Sequence, residues 1–72
     1  MEGDSMKPHQ DRVVSEKAEL DERIRKLEAF MGDRDLFRPI SEAEQKRMSR
    51  QLAHMKDYSN VLTERIAAFH EA

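Results

Sequence analysis

No cysteine occurs among the 72 residues, which excludes a disulfide and a thiolate metal site together. The three histidines, His9, His54 and His70, stand far apart. None has the i, i+4 spacing that brings two imidazoles to one helix face, so no metal is expected. Glycine is nearly missing: with only Gly3 and Gly32 there is no glycine-rich loop to cradle a phosphate. No apolar run approaches the ~20 residues that cross a bilayer. The segment from Met1 to Pro8 also lacks the apolar stretch of a signal peptide, so the chain reads as cytosolic with no membrane partner. Without a cysteine nucleophile, or a histidine set beside a carboxylate and a hydroxyl, catalysis is not expected and neither is a cofactor.

Charge is abundant, but neither sign dominates. Thirteen Lys and Arg stand against fifteen Asp and Glu, for a formal charge of −2, which argues against a general DNA binder. Charged residues make up 39% of the chain and apolar ones 38%, so core-building material is scarce. A chain this short buries only ~60% of the surface exposed in its unfolded state, and such chains are secured by disulfides, a metal or partner chains. With the first two excluded, self-association is the remaining means.

The periodicity predicts an all-α fold, an antiparallel helical hairpin with helices over about 9–31 and about 41–70. A polar arm, 1–8, precedes a domain spanning 9–72. Val13, Lys17, Leu20, Ile24, Leu27 and Met31 alternate spacings of four and three. Met48, Leu52, Met55, Ser59, Leu62, Ile66 and Phe69 repeat that pattern. Pro8 suits a first helical turn, Gly32 is expected to close helix 1 in the left-handed conformation, and Ser41 with Glu44 reads as a capping box. Glu19–Arg23, Asp21–Arg25 and Glu22–Lys26 are acid-first i, i+4 pairs expected to line a solvated face.

If the hairpin folds about residue 36, facing positions sum to roughly 72. Lys17 then faces Met55 and Val13 faces Ser59. Leu62, Ile66 and Phe69 fall opposite Gln10, Met6 and Gly3, with little apolar material to cover them. That stripe is the expected oligomer interface, with Lys17 and Ser59 as polar seam residues that fix register. Met6 could also fold back over part of it.

For binding, Lys7, His9, Gln10 and Arg12 gather at the positive end of helix 1, and Arg23, Arg25 and Lys26 form the densest basic cluster. A solvated helix start is the plainer role for His9, and core packing the plainer role for Tyr58.

The ordered set Gln10-Asp-Arg-Val-Val14, Glu16-Lys-Ala-Glu-Leu20, Lys26-Leu-Glu-Ala-Phe30, Gln51-Leu-Ala-His-Met55, Tyr58 and Glu64-Arg-Ile-Ala-Ala-Phe69 resembles the phage anti-CBASS cyclic-oligonucleotide sponges. Those proteins share their helical-hairpin domain with the phage anti-Thoeris sponges. The resemblance covers roughly residues 9–69. It implies a homohexamer in the cytoplasm of the infected bacterial host that sequesters cyclic di- and trinucleotides without cleaving them. By the same resemblance His9 occupies the position of a base-stacking aromatic, and Lys26 is the foremost phosphate contact, followed by Arg12 and Arg23. Arg65 lines a second pocket for cyclic trinucleotides or makes an interchain salt bridge. The alternative is a helical-hairpin protein–protein interaction module with no small-molecule ligand.

Overall fold

The computed structural model describes residues 7–71. Helix α1 runs from Pro8 to Met31, a single helical turn α2 from Arg34 to Phe37, and helix α3 from Glu42 to Ala67, followed by a 3₁₀ turn over Phe69–Glu71. The second helix therefore ends three residues before the expected position near 70. The predicted arm lies outside the described residues as far as Met6.

Local chemistry accounts for the boundaries. Pro8 occupies the first turn of α1, where a missing N–H costs nothing. Lys7 has no side-chain acceptor, and the cap is made in the return direction only: Gln10 Oε1 accepts the Lys7 backbone N–H at 3.0 Å. At α3 the Ser41 hydroxyl accepts the Glu44 N–H at 3.2 Å. The reciprocal half of that expected box does not form, because the Glu44 carboxylate takes Arg47 at 2.7 Å.

Gly32 departs from expectation. It closes α1 with φ −83° and ψ −7°, in the right-handed region, its N–H bonded to the Glu28 carbonyl at 2.9 Å. Asp33, extended, then caps α2 by accepting the N–H groups of Asp35 and Leu36. The chain turns through a second short helix, which makes a left-handed residue unnecessary. A Cβ on Gly32 would lie 3.3 Å from the Glu28 carbonyl oxygen, tight but not prohibitive. Gly32→Ala is therefore expected to change stability by less than about 1 kcal/mol in urea unfolding, since the smaller unfolded-state entropy offsets the close contact.

The link folds down over the hairpin end. Phe37 meets Phe30 edge to face, ring centroids 6.5 Å apart, and the Gln45 side-chain amide donates to the carbonyls of Phe37 (2.9 Å) and Ile40 (3.1 Å). Because residues 34–37 are coiled into a helical turn, the pivot moves toward the C-terminus.

The consequence is a one-turn correction to the expected register. Lys17 Nζ donates to Ser59 Oγ at 2.9 Å, so Lys17 lies beside Ser59 and not Met55, and Lys56 reaches Glu28 at 2.6 Å nearer the link. Leu62 is thereby drawn into the core with Val13, Leu20 and Ile24, and is 0% exposed within one chain. Ile66 and Phe69 are half-buried against the same cluster. The expectation that Leu62, Ile66 and Phe69 find little cover in their own chain is corrected, because the register supplies it. The core is a single ridge between two helices, and most of each helix surface remains open.

Candidate functional site

His9, Arg12, Arg23 and Lys26 all project from α1 and all are exposed, as is Arg65 on α3. Arg12, Arg23 and Lys26 are separated by eleven and fourteen residues, close to whole numbers of turns, so they follow one flank of α1. Arg12 and Lys26 nevertheless stand about 21 Å apart along the axis at 1.5 Å per residue. The antiparallel register places Arg65 at the level of Arg12. The expected binding residues thus form two groups, His9, Arg12 and Arg65 at the open end and Arg23 with Lys26 along the shaft.

The shaft group has the electrostatics of an anion contact. Arg25 donates from Nε and Nη2 to both oxygens of Glu22, and this hydrogen bonding holds the Glu22 carboxyl below its ordinary range and the Arg25 guanidinium above its own. Lys26 is left 3.9 Å from the same carboxylate, with its side chain 71% exposed. Of the three acid-first pairs expected on this face, Glu22–Lys26 therefore forms only at long range. Asp21 turns away from Arg25 to Lys17 and Ser59, and Glu19–Arg23 is not among the ion pairs of the described residues. The result is an exposed ammonium at the far edge of an already paired carboxylate.

The open end is less favourable to an anion. A shallow depression of about 300 Å³ beside Arg12 is lined by Asp11, Ser15, Glu16 and Glu19 as well, so acids outnumber the single cation. Arg65 makes no ion pair among the described residues.

Two features were not anticipated. Lys17 and Ser59 were expected on the seam, but Asp21 completes a closed triangle with them: Lys17 Nζ donates to Asp21 Oδ2 at 2.8 Å, and Ser59 Oγ donates to Asp21 Oδ1 at 2.6 Å. The acid-first pattern pointed Asp21 toward Arg25, and only the register reveals its cross-helix partner. The second is a depression of about 490 Å³ at the link end lined by Phe37, Gln45, Lys46 and Arg50 among others. Its one sequence signal is the like-charged Lys46–Arg50 pair at i, i+4.

Tyr58 (44% exposed) and Val61 (49%) stand out on α3, and with Arg65 they keep spacings of three and four that place them on one stripe beside Leu62. Core packing is therefore not the role of Tyr58. Among the described residues no group of three or more His, Asp or Glu is placed to hold a metal ion, and no helix is long and apolar enough to cross a membrane.

A family model described as Sequestin matches residues 7–68. No curated protein and no solved structure gives a significant match.

Proposed function

The chain belongs to the Sequestin family, and from that membership we propose that it captures, without cleaving them, cyclic di- and trinucleotide second messengers of bacterial antiviral signalling (CBASS). It acts as a phage immune-evasion protein in the cytoplasm of the infected host, through its hairpin domain, residues 9–72, and releases its ligand intact. Lys26 carries the reading: Glu22 is occupied by Arg25, which leaves an exposed ammonium on the flank shared with Arg23 and Arg12.

One chain cannot close this pocket. Arg23 and Lys26 lie about 16 and 21 Å from Arg12 along α1, and all three side chains are exposed. Packing copies side by side, as a hexamer on the family pattern, lets the His9, Arg12 and Arg65 end of one chain meet the Arg23 and Lys26 shaft of another. A ligand with two phosphates suits such a symmetric site because each chain donates the same groups. In that pocket the His9 imidazole stacks on a base, and Arg65 reaches a phosphate of the larger cyclic trinucleotides. The self-association surface is the stripe of Tyr58 and Val61 with the half-buried edges of Ile66 and Phe69. Leu62 contributes from behind, as the core residue on which that stripe rests.

The test is thermal unfolding of the full chain with and without 3′,3′-cyclic GMP–AMP and a cyclic triadenylate. Ligand at a hundredfold over its Kd adds about 2.7 kcal/mol. In a domain of this size that raises Tm by about 10 °C or more. Lys26→Gln is expected to remove most of the shift, and ligand recovered after denaturation is unmodified. Absence of a shift with both ligands would overturn the reading. A folded monomer without a shift would favour the interaction module, for which the exposed Tyr58 and Val61 are the specific observation.

A further inference from the structure

We propose that the depression at the link end of the hairpin is a second binding site, distinct from the α1 cation flank, for a planar aromatic ring bearing a phosphate. Its wall is the half-buried Phe37: Phe30 packs edge to face against the ring, and Gln45 Nε2 donates to the Phe37 backbone carbonyl at 2.9 Å, holding that stretch of chain. An aromatic surface anchored this way accepts a stacked ring without first being ordered.

The opposite wall is α3. Lys46 and Arg50 are one turn apart, both exposed, and neither is among the ion pairs of the described residues. Like charges at i, i+4 destabilise a helix, and nearby acids could have relieved them. They do not: Glu44 goes to Arg47, and Glu42, correctly spaced for Lys46, forms no ion pair with it. Two uncompensated cations beside an aromatic wall match a phosphate joined to a ring. Glu42 is the one acid of the lining and would repel the phosphate, and it suits an exocyclic N–H of the ring instead. Ser49 adds a hydroxyl to the lining, and a volume of about 490 Å³ accommodates one such ligand.

The experiment is a two-dimensional amide NMR titration of the full chain with adenosine 5′-monophosphate, with adenosine and with inorganic phosphate. The monophosphate is expected to give saturable shifts confined to residues 36–53 and to bind more tightly than either fragment. The double variant Lys46→Gln, Arg50→Gln alters only exposed side chains and is expected to weaken binding about tenfold, corresponding to ~1.4 kcal/mol. Lys26→Gln is expected to leave it unchanged, which separates this site from the α1 flank whether or not cyclic dinucleotides bind there. No saturable shift, shifts centred on residues 9–26, or a double variant that alters the oligomeric mass and not the affinity would each overturn the proposal.

Discussion

Leu62→Ala is expected to unfold the hairpin, not merely to loosen its association. Among the described residues Leu62 is the largest fully buried side chain, at 0% exposure inside a single chain, in a buried core with Val13, Leu20 and Ile24 against which Leu52, Met55, Ile66 and Phe69 pack. Truncating a buried leucine costs about 2–5 kcal/mol through lost transfer energy and the cavity left behind. A domain of this length has roughly 4–11 kcal/mol in total, so the substitution removes a large share of it. The expected result in circular dichroism is a Tm lowered by at least about 10 °C, with helical signal and native mass lost together. Tyr58→Ala is the contrasting variant: that side chain is 44% exposed, so the substitution should change native mass while the helical signal persists. A Leu62→Ala protein that dissociated yet melted like the parent would place Leu62 between chains and contradict the register described here.

That register marks the boundary of what the sequence discloses. Heptad spacing put Val13, Leu20, Ile24 and Leu62 on the facing stripes, and all four are buried. A slip of one helical turn leaves the same stripes facing each other, however, and periodicity alone cannot tell the two alignments apart. The deciding information lies in residues 30–45, where a capped turn at Asp33, the Phe30–Phe37 contact and the Gln45 clamp set the pivot. None of these is a periodic signal. The same distinction divides the candidate residues. Lys26 was legible as a candidate because its motif and the basic cluster it forms with Arg23 and Arg25 are both linear. The Phe37, Lys46 and Arg50 depression was not, since it exists only once the link has folded against α3. Gly32 misled for a related reason: the left-handed closure is common, but here a following short helix takes the chain onward without it.

Ser59→Ala is expected to be the most costly change of a polar residue. Ser59 is 7% exposed, accepts from Lys17 and donates to Asp21, so one hydroxyl closes the cross-helix triangle. Its removal forfeits two hydrogen bonds to charged groups at the edge of the core, for a loss of about 1–3 kcal/mol in urea unfolding. The Lys17 side chain, 26% exposed, is left with only its partner on its own helix. Adding Lys17→Met removes that half-buried ammonium, so the double variant is expected to cost less than the sum of the two single ones. Additive losses would show that the three groups do not act as a unit. The triangle also sets an acid limit. Hydrogen bonds from Lys17 and then Ser59 hold the Asp21 carboxyl below its ordinary value of 3.8 in the folded chain. A carboxyl lowered on folding stabilises the fold above its unfolded pKa, and that contribution disappears as pH falls through the folded one. The parent is therefore expected to lose stability progressively below about pH 4, as protonation of Asp21 removes its share of the triangle. Asp21→Asn should start from a lower Tm at neutral pH and show a flatter decline across that window; a parallel decline in both proteins would assign the acid sensitivity to other carboxylates.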